Sequence, residues 1–294
     1  MENNTNQTTA SDANSNPLQQ FFRPIGMHVR LPSGGVYTKP GSLDTTMNGE
    51  IPVYAMTKAD EYRLKNPDSL LNGYAIEQLI LSCVPSIKDV RNLTSQDVDI
   101  LLLAIRASTY GNMMTVDVSC PVCQKEQKFE ASIPSLMGTI KTVDFEYSVR
   151  LTDDLVVYVM PYTYESITID AISKFEEAQL YKHVMDTDDI DASEKSRRFT
   201  ESFEKIVDLN LDLMSKSITK IVIPNQEVKD PKYIREFVQN APKGYIEAIE
   251  KKVMEINSLG LDKKQKVTCS EEECKHEWES EIIFDPSYFF DFGS

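Results

Sequence analysis

Four cysteines in two pairs constrain this chain more than any other feature. Cys120-Pro-Val-Cys123 is one pair and Cys269-Ser-Glu-Glu-Glu-Cys274 is the other. A thiolate pair at such spacing grips one side of a tetrahedral zinc ion, and two pairs close the shell with no position open for chemistry. The flanks also match. Val118-Ser119 leads into the first pair and Phe129-Glu130 follows it; Val267-Thr268 leads into the second and Trp278-Glu279 follows. Each half predicts a β-hairpin with a metal-binding knuckle at its turn. About half the chain lies between Cys123 and Cys269, so a zinc ribbon split this widely fastens a late segment to the middle. That points to folding and scaffolding ahead of catalysis. His276, two residues beyond Cys274, is the competing ligand, but the set Cys120, Cys123, Cys269 and Cys274 is complete without it.

Cysteine pairs at these spacings favour metal over disulfide in a reducing compartment. The first residues, MENNTNQTTASDANSNPLQQ, lack a basic segment followed by an apolar one, so no secretory signal is expected. No run of about 18 apolar residues occurs, so no membrane insertion is expected. The chain has 294 residues, with 31 Lys and Arg against 46 Asp and Glu, a net charge of −15. Such a field repels a phosphate backbone, and no basic stripe with interleaved aromatics offsets it. Nucleic acid is therefore not an expected partner. A ribbon that binds nucleic acid or the transcription machinery is the alternative function. It would need a basic knuckle surface, whereas the second knuckle carries Glu271, Glu272, Glu273, Glu277, Glu279 and Glu281.

Residues 1–20 are polar and nearly free of apolar side chains, which predicts disorder. Leu31-Pro32-Ser33-Gly34-Gly35 is turn-rich, and residues 50–54 read as a short strand. A helix is expected from Thr57, with Asp60 and Glu61 placed for a capping box, ending at Asn66-Pro67. A second follows Gly73 with Ile76, Leu79, Ile80 and Cys83 on one face, where Cys83 reads as a small buried hydrophobe. Thr94 to Asp97 opens a third, with Val98, Leu101, Leu102 and Ile105 on its core face and Gly111 at its end. Two alternating runs around Asp153-Asp154 predict a hairpin. The following stretch to Gly260 reads as mostly helical. Its expected faces are Ile167, Ala171, Phe175 and Ala178; then Phe199, Phe203, Ile206 and Leu213; then Ile234, Phe237 and Val238; then Ile246, Ile249, Val253 and Ile256. A β-rich link at 217–223 interrupts it. The acidic loop 186–191 lacks the glycine and closing glutamate of a calcium loop and reads as a solvated linker. Four phenylalanines and a tyrosine between Phe284 and Phe292 are too apolar for a free tail.

No catalytic constellation is visible. A nucleobase deaminase needs His-x-Glu upstream of Pro-Cys-x-x-Cys, whereas Ser119 precedes Cys120 and His28 is followed by Val29-Arg30. The three histidines lie near no recognisable nucleophile motif. A non-enzymatic role is expected.

The order of several short motifs is distinctive: residues 31–35, then Met56-Thr57-Lys58-Ala59-Asp60-Glu61, then Leu71-Asn72-Gly73-Tyr74-Ala75-Ile76, then residues 103–111, then the first knuckle. In this order the chain resembles the baseplate hub assembly proteins of T-even-like contractile-tailed bacteriophages. The resemblance implies a virion or virion-assembly role near the tail tip. It further implies hub or tape-measure proteins as partners within a larger assembly, and the host cytoplasm or the tail baseplate as the location. It carries no catalytic residues.

The expected fold is α+β: a mostly helical body with a β-hairpin and a split four-cysteine zinc ribbon. The expected division is a disordered segment 1–20, a helical region 21–115, the first knuckle and hairpin 116–165, a helical insertion 166–260, and the second knuckle with an aromatic tail 261–294.

Overall fold

The computed structural model describes residues 18, 21–144, 146–186, 192–262 and 264–281. Most of the polar stretch 1–20, the acidic loop after Asp186 and the aromatic stretch 284–292 lie outside the described residues. Within them the protein is mixed helix and strand, as the residue pattern predicts.

Strand β1 (Ile25–Val29) pairs antiparallel with β2 (Ile51–Tyr54). Four helices follow: α1 (Lys58–Leu64), α2 (Pro67–Leu71), α3 (Tyr74–Cys83) and α4 (Ser95–Tyr110). Helices α1 and α4 both begin at capping boxes, which satisfy amides that the first turn leaves without partners. In α1, Thr57 Oγ1 accepts from the Asp60 amide and Asp60 Oδ2 accepts from the Thr57 amide at 2.8 Å. In α4, Thr94 and Asp97 do the same. Each boxed aspartate also fastens an earlier segment. Asp60 accepts from Arg23 at 3.3 Å. Asp97 Oδ1 accepts from the Ser33 amide at 2.9 Å, and its Oδ2 from the Ser33 hydroxyl at 2.6 Å. The turn-rich run 31–35 thus exists to present Ser33 to a helix start 64 positions away. Where the sequence suggested one helix ending at Asn66-Pro67, Asn66 instead caps the new helix α2, with Pro67 in its first turn.

Helix α4 packs on β1 and β2, and α3 packs beside α1 and α4, in a first core that includes Ile51, Leu79, Ile80, Leu101 and Ile105. Cys83 is fully buried there, and burial pushes its thiol up to about 12. Gly26 lets β1 lie directly on α4, because a Cβ at that position would meet Ser108 Cβ at 2.3 Å.

The chain continues through β3 (Met113–Ser119), β4 (Glu126–Ser132), the short α5 (Ile133–Met137), β5 (Tyr147–Thr152) and β6 (Leu155–Val159). A helical hairpin follows, α6 (Tyr164–Asp186) and α7 (Ala192–Lys216), then β7 (Ile218–Ile223), β8 (Gln226–Val228), α8 (Pro231–Asn240), α9 (Lys243–Asn257), β9 (Lys264–Thr268) and β10 (Glu277–Glu281). The stretch that read as a β-rich link is a full strand: β7 joins the predicted hairpin in a four-stranded antiparallel sheet of order β5-β6-β7-β8. Helices α8 and α9 cover this sheet in a second core containing Val157, Ile221, Ile234, Ile249, Val253 and Ile256. Two of the expected faces are only partly covered. On α7, Ile206 and Leu213 are buried, but Phe199 and Phe203 stack on each other in the open, at 46% and 53% exposure. On α6, Phe175 is exposed, while Tyr164, Ser166 and Ser173 are buried. Among the described residues, no helix is long and apolar enough to cross a membrane.

Candidate metal centre

Each cysteine pair sits at the turn of a two-stranded antiparallel hairpin. The first ladder runs from Met113 opposite Ser132 to Ser119 opposite Glu126. The second runs from Lys264 opposite Glu281 to Thr268 opposite Glu277. The turns are built alike. The Cys120 amide donates to the Lys125 carbonyl at 3.0 Å, and the Cys269 amide donates to the His276 carbonyl at 2.8 Å. Gln124 and Lys275, each directly after the second cysteine of its pair, both take left-handed backbone conformations, with φ of 58° and 43°. The longer second loop absorbs its two extra residues in a turn in which the Cys274 and Lys275 amides donate to the Glu271 carbonyl.

The two hairpins bring all four sulfurs together, each Sγ within 4.8 Å of the others. The short contacts cross between knuckles: Cys120 to Cys274 at 3.8 Å and Cys123 to Cys269 at 3.5 Å. Four thiolates at about 2.3 Å from a tetrahedral zinc stand about 3.8 Å apart along each edge. A disulfide would need about 2.05 Å, and all four cysteines are free thiols. The donor set therefore fits a closed tetrahedral site for a thiophilic cation. Cys120 and Cys269 are buried, Cys274 is half-buried and Cys123 faces solvent. Desolvation opposes ionisation of Cys120, but the amides of Cys123 and Val122 outweigh it and bring that thiol down to about 7. The Glu271 amide, which lies 3.5 Å from the Cys269 sulfur, favours the Cys269 thiolate, yet desolvation and the neighbouring sulfurs push it up to about 12. Four sulfurs this close cannot all ionise without a cation between them.

Side chains outside the cysteines lock the two halves. Gln127 on β4 donates from Nε2 to the Thr268 carbonyl at 2.8 Å and accepts at Oε1 from the Ser270 amide at 2.6 Å. Lys125 pairs with Glu271 at 2.5 Å, a solvent-facing contact that solvent screening leaves weak. Sequence reasoning missed Gln127, because it sits in a polar run and its partners lie 141 and 143 positions away. His276 is outside the sulfur cluster, and its ring stacks on Trp278 with centroids 6.2 Å apart. Among the described residues, no other group of His, Cys, Asp and Glu gathers in this way.

A family model described as T4 bacteriophage base plate protein matches residues 47–291, a span that contains both cysteine pairs. No curated protein and no solved structure matches the chain.

Proposed function

The chain belongs to the T4 bacteriophage base plate protein family, and from that premise we propose that it is a structural or assembly subunit of the tail baseplate hub, held in shape by a zinc ion on Cys120, Cys123, Cys269 and Cys274. The observation that carries the metal reading is the pair of sulfur contacts across the knuckles, 3.8 and 3.5 Å, close to a tetrahedral edge. With four thiolates bound, zinc supplies cross-linking and no open coordination position, so the proposed role is non-enzymatic. Apparent zinc binding in such sites is worth about 10–16 kcal/mol, as large as the net stability of a typical domain, about 5–15 kcal/mol. The metal is thus a condition of the fold around it.

On this reading the partners are other hub or tape-measure proteins, met in the host cytoplasm while tails are built. The exposed carboxylates of Glu272, Glu273, Glu277 and Glu279 on the second knuckle speak against a nucleic-acid ribbon. Native mass spectrometry with elemental analysis tests the metal: one zinc per chain is expected, and a metal-free folded chain overturns it. Reconstitution of tail assembly tests the role. Co-purification with hub or tape-measure proteins is expected; a chain that stays monomeric and retains no tail component defeats it.

A further inference from the structure

A groove of about 490 Å³ lies where α2, α3, α4, α6 and the segment after α9 meet. Leu71, Val98, Leu102, Ile167, Ala171 and Leu261 supply its apolar walls, and all but Val98 are half-buried. Its polar groups largely serve one another. Tyr164 Oη donates to the Gly73 carbonyl at 2.7 Å, Thr168 Oγ1 donates to the Tyr164 carbonyl at 2.9 Å, and Asn257 Oδ1 accepts from the Tyr162 amide at 2.9 Å. The lining holds a single carboxylate, Asp99. An occupant is therefore selected by apolar contact, and the volume is that of a site for several side chains.

We propose that this groove seats the chain's own segment 282–292, with its aromatic side chains inserted between α4 and α6. Three observations support that occupant over a foreign one. The first is place. Glu281, the last residue of β10, stands opposite Lys264, three residues from the groove wall at Leu261. Paired Cα atoms lie about 5 Å apart and three residues span at most about 10 Å, so the segment starts within roughly 15 Å of that wall. Its eleven residues, fully extended, reach about 36 Å. The second is composition. Ile282, Ile283, Phe284, Tyr288, Phe289, Phe290 and Phe292 are apolar or aromatic, and Asp285 and Asp291 are the only charges. The third is tethering. A segment joined this closely is present at an effective concentration on the order of millimolar, which a separate partner would have to exceed.

Photocrosslinking of the full-length, metal-loaded protein tests the proposal, with benzoylphenylalanine replacing Phe289. Light and isotope-labelled chains are mixed before irradiation and the products are mapped by mass spectrometry. Crosslinks to residues 98–102, 167–171 or 261 that join light to light and heavy to heavy are expected. Crosslinks that join light to heavy would assign the groove to a second copy and overturn the proposal, as would their absence from groove residues. In the Leu102→Asp variant the groove crosslinks should fall at least about fivefold, since a carboxylate there opposes apolar insertion. An unchanged yield overturns the proposal. Zinc content measured on the same samples keeps a failure here separate from a failure of the metal reading.

Discussion

One side-chain amide, that of Gln127, makes two of the hydrogen bonds between the knuckles, and it touches no sulfur site directly. Gln127→Ala leaves all four thiols in place but removes both bonds. Its effect should be about 1–2 kcal/mol, roughly a tenfold loss of zinc affinity in a chelator competition. A second residue-level expectation concerns Asp60. Burial alone would raise its pKa, but the Thr57 hydroxyl and amide, then Ser82 and Arg23, outweigh burial and hold it below the usual carboxylate range. A lowered pKa stabilises the fold above the unfolded value of about 3.9, and that stability is lost as pH falls through the folded value. Acid titration followed by circular dichroism should therefore show a stability loss below about pH 4 that is smaller in Asp60→Asn. The cysteines and the capping box at Thr57 were legible in the sequence because their chemistry is written in spacings of two to five residues; at Thr94 the sequence showed a helix start, and the structure adds the box. The second role of the boxed aspartates was not legible, because Arg23 and Ser33 reach them from 37 and 64 positions away.

At the scale of elements, helical period was readable but the extent of cover was not. The stripe on α7 has the right repeat throughout, yet the core reaches only as far as Ile206 and leaves Phe199 and Phe203 outside. The period says which side chains share a face; it does not say how far the neighbouring layer extends. Phe203→Ser should accordingly change stability by under about 0.5 kcal/mol, whereas Ile206→Ala should cost about 2–4 kcal/mol, as read from denaturant midpoints. Strand β7 was half-legible for a related reason. Its β-rich residues were visible, but its place beside β6 depends on the return of the chain through the α6–α7 hairpin. The hairpin of β9 and β10 meets the first knuckle through the sulfur cluster, Gln127 and the Lys125–Glu271 pair. Cys274→Ser should expose it. Hydrogen exchange should speed up at residues 264–281 and stay slow in β5–β7, a contrast that a general loss of folding would erase.

Among the described residues, the two large cores are joined by a polar seam. At that seam Asn257, at the end of α9, accepts from the Tyr162 amide and the Ser95 hydroxyl, and Gln96 donates to the Ile256 carbonyl at 3.3 Å. Backbone bonds from Val143 to Pro32 and from Lys141 to Leu259 run alongside. Asn257→Ala should lower stability by about 1–3 kcal/mol and split one unfolding transition into two in calorimetry, because the seam carries the cooperativity between the cores. The sequence shows the apolar faces that build each core, but which faces meet at the seam is set by long-range bonds that no local pattern records. Those separations also impose an order in time. The sulfurs that meet across the knuckles are 146 and 154 positions apart. At a synthesis rate of about 5–20 residues per second, the first thiol pair waits roughly seven to thirty seconds for its counterpart. A ribosome-bound chain in that interval displays half a ligand shell, so anything that recognises the joined knuckles recognises only translation that has run past Cys274.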